Sequence, residues 1–373
     1  MLSVLHVGKF YPPVPGGMER VVKMLCSVAP DRLDSRVLAF HTGRSTVEEV
    51  VEGVPVTRVG TAGTAGSVPV AFGFAARLRR ARADVMIVHE PNPWALVSIL
   101  AARPRIPLII WFHSDVLRPR LQYRLFYEPI ASPVYRRARR FVVSSPVLAG
   151  RSAALRTYQD RISVIPFGID PETWRPTPAI ASRAVQLRGE AGRPIVLFLG
   201  RLVPYKGVDV LIKAAASLPV RLIIAGEGPM RGTWERLAAE ECGAACIEFV
   251  GSIADDEVKA RMHAAAALVL PSVTAAEAFG VVQLEAMACG IPIISTNVPS
   301  GVPWVNQDGV TGLVVPPGDV LALRRALARL LDEPALGARL GAAGRARAVS
   351  QFSMAAMRDR FVHLCGAVAA GEP

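Results

Sequence analysis

The sequence is poor in cysteine, lysine and aromatic residues, and it has no long apolar run. Its five cysteines, Cys26, Cys242, Cys246, Cys289 and Cys365, are too few for a disulfide framework in 373 residues, so a reducing cytoplasm is the expected setting. Apolar stretches such as Pro93–Ala102 and Ala264–Leu270 fall well short of the roughly 18–20 residues of a membrane span. Any membrane association is expected to be peripheral. The first residues, Met1–Gly8, lack a basic leader and a small-residue cleavage site, and they read as a first strand. Charged residues make up only 20% against 51% hydrophobic, with no low-complexity tract, which excludes intrinsic disorder and coiled coil.

What is present is enough chain for two or three domains and an uneven charge. The net charge is +12, and residues 1–170 hold 23 Lys+Arg against 12 Asp+Glu, whereas residues 171–373 hold 20 against 19. The basicity therefore belongs to the N-terminal half, which is expected to meet an anionic partner: phosphate, membrane or nucleic acid. Short apolar runs bounded by Gly or Pro alternate with helix-like stretches, the pattern of βαβ units around a parallel sheet. It occurs twice. The first set of expected strands is Val4–Val7, Ser35–Phe40, Val85–His89, Leu108–Phe112, Phe141–Ser144 and Ser163–Ile165. The second is Ile195–Leu199, Arg221–Ala225, Ile247–Phe249, Ala267–Leu270, Ile293–Ser295 and Gly312–Val315. Between them the proline-rich residues 171–193 read as a linker. The expected domains are 1–170 and 194–352, with a C-terminal helix at about 353–370 completing the first. Parallel sheets bind ligands beyond the carboxyl ends of their strands, so two such sheets facing across an interdomain cleft place function in the strand-to-helix loops.

Those loops hold the candidate residues. Gly16 and Gly17 precede a helix, where bare amides and the helix dipole suit an anion, though a Gly pair is also ordinary turn chemistry. His113 follows the Leu108–Phe112 strand and is placed either to donate to a sugar oxygen or phosphate or to serve as a structural histidine. Arg201 and Lys206 flank a glycine-framed loop that can converge on a diphosphate, or can form a solvated pair. It is not a Walker loop. Gly226 and Gly228 fail the dinucleotide fingerprint, because the third glycine comes one place late and Pro229 intervenes, which disfavours hydride transfer. Finally, Phe279, Gly280 and Val281 open a short helix closed by Gly290 and Pro292, with Glu277 before it and Glu285 within it. Amides at the helix start suit phosphate and the two acids suit hydroxyls, as in a nucleotide sugar; dipole-favoured surface glutamates fit the same pattern.

In this order the motifs resemble the family-4 retaining glycosyltransferases, or glycosyl transferases group 1, over nearly the whole chain. The resemblance implies the GT-B fold, an α/β architecture of two Rossmann-like domains. It implies that Arg201 and Lys206 hold a donor diphosphate, that Glu277 meets donor-sugar hydroxyls and Glu285 the ribose, and that His113 lies near the reaction centre. Gly16 and Gly17 would approach phosphate and acceptor, and Gly226, Gly228, Phe279, Gly280 and Val281 would border the donor. Family members generally need no metal or other cofactor, in keeping with the lack of an Asp-x-Asp pair here. The expected chemistry is hexosyl transfer with retention through an oxocarbenium-like transition state, stabilised by neutralising the departing diphosphate. Two positions depart from the family pattern: Val302-Pro303-Trp304-Val305-Asn306 stands where many members have a Pro-Glu pair, and Met354 where relatives often carry Trp. The Gly301–Asn306 form is similar to bacterial mannosyl- and deoxyhexosyltransferases of O-antigen and exopolysaccharide assembly. That similarity favours a GDP-sugar donor over a UDP-sugar and a lipid-linked saccharide acceptor.

Readings from other classes are a nucleotide-sugar epimerase, a non-catalytic binding subunit and a nucleic-acid binder. No recognisable nucleic-acid module accompanies the charge, and a subunit without activity should have lost one of Arg201, Lys206 or Glu277. In Leu117–Glu128, Leu117, Leu121 and Leu125 recur at helical spacing beside Arg118, Arg120 and Arg124. This pattern fits a helix lying in an anionic interface, and equally a core-packed helix with a solvated arginine face.

Overall fold

The computed structural model describes residues 1–14, 16–65, 68–115, 123–242 and 246–372. The chain divides into two compact units, Met1–Pro166 with Ala355–Pro373, and Phe167–Met354.

In the first unit the strands are β1 (Leu2–Val7), β2 (Leu33–Phe40), β3 (Val47–Val51), β4 (Val54–Val59), β5 (Gly63–Ala65), β6 (Val68–Val70), β7 (Val85–Glu90), β8 (Leu108–Phe112), β9 (Arg140–Val143) and β10 (Ile162–Val164). Eight form one sheet in the order β10-β9-β8-β7-β1-β2-β4-β3, and β5 pairs with β6. Every residue of β7 is buried, as a strand covered on both faces requires. The β3–β4 pair is antiparallel and was not expected from the sequence. Most of β3 is exposed, so it has no apolar run to betray it. Its two-residue turn is Glu52-Gly53, with φ of 48° and 83°, and Glu is not among the usual residues for such a turn.

The C-terminal helix Met354–Ala370 belongs largely to this first unit. It buries Met357, Phe361, Leu364, Cys365 and Val368, a helical stripe. Phe361 is fully enclosed, with its ring centroid 5.8 Å from that of Trp111 on β8.

The second unit holds β11 (Ile195–Leu199), β12 (Arg221–Ala225), β13 (Ile247–Gly251), β14 (Ala267–Leu270), β15 (Ile293–Thr296) and β16 (Gly312–Val315). They form a wholly parallel sheet in the order β13-β12-β11-β14-β15-β16. All twelve strands expected from the sequence are present. Residues 171–193, read as a linker, carry structure instead: a turn at Pro171–Trp174 and a helix at Pro178–Ala191, capped by the Thr177 side chain. Ile180, Ala184 and Leu187 are its buried residues, and Arg183 pairs with Glu257 on the helix Asp255–Ala264.

Cys242 and Cys246 are joined by a disulfide, a single local bridge and not a framework. Cys242 ends the helix Arg231–Cys242 and Cys246 directly precedes β13, with their Cα atoms 6.5 Å apart, within bridging range. Cys26, Cys289 and Cys365 are free. Among the described residues no helix is long and apolar enough to cross a membrane.

Candidate functional site

Among the parallel strands of each sheet the order reverses once, about the sheet's first strand, and ligand crevices in open parallel sheets lie beyond the carboxyl ends of strands at such a point. In the second unit the reversal falls between β11 and β14. The loop after β11 carries Arg201 and Lys206, and the loop after β14 carries Ser272 and Glu277. The fold brings the two loops together: Lys206 Nζ donates to Glu277 Oε2 at 2.5 Å, with both side chains about nine-tenths buried. Ser272 Oγ donates to the same oxygen at 3.1 Å. Burial acts to lower the Lys206 pKa, but the Glu277 carboxylate outweighs it and leaves the ammonium's pKa raised; Arg201 pulls the other way. Lys206 is therefore charged at neutral pH, in a pair that would cost several kcal/mol to break from one side. Arg201 is exposed. An exposed guanidinium and a paired ammonium can together hold a diphosphate, while the carboxylate accepts from hydroxyls.

Gly226 and Gly228 have a local purpose. A Cβ on Gly226 would overlap the carbonyl oxygen of Gly200, and one on Gly228 that of Leu202. Their absence lets the loops after β11 and β12 close on each other, with Leu202 N–H donating to Glu227 O at 2.8 Å and Met230 N–H to Leu202 O at 3.0 Å. The helix expected to open at Gly280-Val281 is present as Val282–Cys289, with Gly290 in the left-handed region at its end. The Phe279 side chain does not face a ligand: it is 2% exposed, 5.0 Å centroid to centroid from Phe167 and 6.1 Å from Phe352. Glu285 is in the helix's first turn and is 1% exposed. Asn306, one of the residues that depart from the family pattern, is a buried tie between strands. Its Nδ2 donates to Ser295 Oγ at 2.9 Å and Leu313 O at 3.2 Å, and its Oδ1 accepts from Thr311 Oγ1 at 3.0 Å.

In the first unit the order reverses between β1 and β7. Three histidines stand there in a row, and the sequence reading had singled out only His113. His6 Nδ1 lies 3.1 Å from His89 Nε2, and His89 Nδ1 lies 3.0 Å from His113 Nε2. Neighbouring rings are stacked. Burial lowers all three pKa values, to about 3 for His6 and His113. Next to His89, the fully buried Glu90 accepts hydrogen bonds from the hydroxyls of Tyr127 and Tyr135 and, at 3.0 Å, from Asn92 N–H. Burial raises its pKa to about 7 despite these donors. The sequence signal, legible afterwards, was polar residues at the carboxyl ends of strands that are otherwise apolar.

Gly16 and Gly17 begin the helix Gly17–Ser27 but differ in what surrounds them. A Cβ on Gly16 would overlap the Glu19 carboxylate, whereas one on Gly17 meets nothing within 4 Å. The loop before them is anchored by Arg58, which the sequence reading missed. Its buried guanidinium donates to Tyr11 O at 2.9 Å, Pro12 O at 2.5 Å and Glu49 Oε1 at 2.5 Å. Arg118 and Arg120 lie outside the described residues. Arg124 lies within the π-helical turn Tyr123–Tyr127, where it, Leu125 and Phe126 are exposed and Tyr127 is buried.

Residues 184–347 match the family model described as glycosyl transferases group 1, and residues 15–173 match glycosyltransferase family 4. The chain is 32% identical over 353 residues to D-rhamnosyltransferase WbpZ of Pseudomonas aeruginosa, covering 93% of this chain and 91% of that protein. It belongs to the group 1 glycosyltransferases. It is also 29% identical over 367 residues to O-antigen chain mannosyltransferase C of Escherichia coli, covering 97% and 98% of the two chains. Among solved structures, sucrose-phosphate synthase from Thermosynechococcus elongatus superposes with a TM-score of 0.81 at 24% identity, covering 100% of both chains. The fold is GT-B, and the protein is a glycosyltransferase enzyme of the hexosyltransferase type.

Proposed function

We propose that this glycosyltransferase moves a hexosyl group, mannose or a deoxyhexose from a GDP-sugar, onto a lipid-linked saccharide in the synthesis of a cell-surface polysaccharide, with retention and without a metal. The observation that carries the reading is the Lys206–Glu277 pair with Arg201 at the strand-order reversal of the second unit. A donor's diphosphate draws on Arg201 and Lys206 as charge develops on the leaving group, and Glu277 takes hydrogen bonds from sugar hydroxyls. Gly280 and Val281 offer backbone amides ahead of a helix, with Glu285 in its first turn toward the ribose. His113 stands on the acceptor side as a neutral group able both to donate and to accept. The two relatives above, a mannosyltransferase and a rhamnosyltransferase, support the choice of sugar.

A screen of GDP- and UDP-sugars for a rise in melting temperature and for donor hydrolysis tests the donor. A GDP-sugar that stabilises the enzyme supports the reading, and stabilisation by UDP-sugars alone replaces it with the UDP alternative. We place the enzyme peripherally on the cytoplasmic face of an anionic membrane, meeting its acceptor through the basic first unit. The exposed Arg124, Leu125 and Phe126 favour this over a core-packed face. Changing Arg118, Arg120 and Arg124 to Glu should weaken binding to anionic vesicles, and unchanged binding at low salt removes the membrane role.

A further inference from the structure

The three histidines of the first unit, His6 and His89 fully buried and His113 half-buried, have a property that none has alone. Each neutral imidazole carries one N–H and one bare lone pair, on opposite nitrogens. The two contacts in the row both join Nδ1 of one ring to Nε2 of the next, at 3.1 and 3.0 Å. If His89 carries its hydrogen on Nδ1, it donates to His113 Nε2, which must then be bare, and its own Nε2 must accept from His6 Nδ1–H. If His89 carries it on Nε2, every assignment reverses. Any mixed arrangement sets two lone pairs or two N–H groups against each other at hydrogen-bonding distance. The row thus has two neutral states, all Nδ1–H or all Nε2–H.

We propose that His6 and His89 are positioning residues that lock the tautomer of His113, so that Nε2 stays engaged with His89 and Nδ1 keeps one fixed role toward substrate, as donor in the all-Nδ1–H state or as acceptor in the all-Nε2–H state. The far end of the row supports this. His6 Nε2 is buried without a hydrogen-bonding partner among the described residues, and the ring near it is Phe361, centroid to centroid at 6.2 Å. Because no described side chain trades hydrogens with the row at that buried end, a change of tautomer at His113 has to pass through His89 and His6 together. Burial, which holds each ring neutral, removes the protonated state that would otherwise interrupt the row. The backbone holds the spacing: His113 N–H donates to Glu90 O at 3.0 Å, continuing the β7–β8 register that pairs His89 with Trp111. The role assigned to His113 rests on the glycosyl-transfer reading above; the lock does not.

The test is long-range 1H–15N correlation NMR of the full chain with 15N-labelled histidine, each ring assigned by its own substitution. At pH 7 His6, His89 and His113 should be neutral and share one tautomer, whichever it is. In His89→Phe, His113 should shift to a tautomer mixture or become protonatable near pH 6. The same variant should lose about tenfold in kcat with donor KM changed less than twofold. His6→Phe should show a smaller loss, and His6→Gln, which keeps a hydrogen-bonding group, should recover part of it. Different or mixed tautomers in the unaltered protein overturn the proposal without any variant having to fold. An unchanged His113 spectrum in His89→Phe also overturns it. If the NMR lock is present but His113→Ala keeps full transfer activity, the lock stands and the reaction-centre reading of His113 fails.

Discussion

The two units answer the same topological situation with opposite electrostatics. The parallel strands of each sheet reverse their order once, with polar side chains at that point. In the second unit these are a lysine and a glutamate held as a buried ion pair, with an exposed arginine in the same loop as the lysine. In the first they are three neutral imidazoles in a row, although this unit carries nearly all the surplus positive charge of the chain. Charge at the surface and charge at the site are thus independent variables. The basic half keeps its arginines mostly outside and sets no cation at its reversal point, only the neutral imidazoles and the buried Glu90 beside them. The nearly neutral half gathers two cations, Arg201 and Lys206, in the loop where we propose that the diphosphate binds.

The largest effect should come from dismantling the charged point. Lys206→Ala is expected to lower turnover by about a hundredfold to a thousandfold, as losing a group that stabilises developing charge does. The paired change Lys206→Met with Glu277→Leu separates chemistry from stability. It should be as inactive, yet melt close to the unaltered protein, since replacing a whole buried pair by apolar groups is often neutral. Near-native transfer by either variant would overturn the site.

Next comes the wall behind the neutral point. Phe361→Ala should cost about 3–5 kcal/mol, read by chemical denaturation, and hydrogen exchange should localise the loss to the first unit. Loss in the second unit instead would show that the helix belongs elsewhere.

Acid should then separate the units further. His6 and His113 have folded pKa values near 3 against 6.5 when free, so their stabilising contribution is full above about pH 6.5 and lost as pH falls toward 3. Glu90, raised from 4.5 to about 7, runs the other way: its contribution is full below about pH 4.5 and lost as pH rises through 7. Three histidines outweigh one glutamate, so acidification from pH 7 to 4 should weaken the first unit preferentially. His89→Phe should flatten that slope, and an unflattened slope would assign it to other groups. The smallest effect concerns the loop before Gly16: Arg58→Ala should cost about 1–3 kcal/mol through lost hydrogen bonds, measured by thermal melting.

Much of this fold could be read from the sequence, because parallel strands buried on both faces leave continuous apolar runs that Gly and Pro delimit. The edge hairpin β3–β4 escaped for the converse reason, since an exposed strand such as Val47–Val51 alternates with nothing apolar opposite it. The helix Pro178–Ala191 was hidden by prolines, yet Pro178 sits in its first turn, where a proline costs nothing. At the site, Lys206 and Glu277 were legible because loops with glycine frames stand out. Ser272, which orients Glu277, did not, as a serine after a strand is common turn chemistry. His6 and His89 were hidden for a deeper reason. Their partnership spans 83 residues, and only the strand order β8-β7-β1 makes neighbours of them.

The return of the C-terminal helix to the first unit has a consequence for how the chain is made. The second unit is one continuous stretch, Phe167–Met354, whereas the first is assembled from two stretches, one before it and one after. During synthesis the second unit has all its residues before the first receives Phe361. A stop codon or bulky tag near residue 355 therefore injures the amino-terminal half of the enzyme, and the half that was translated later survives it.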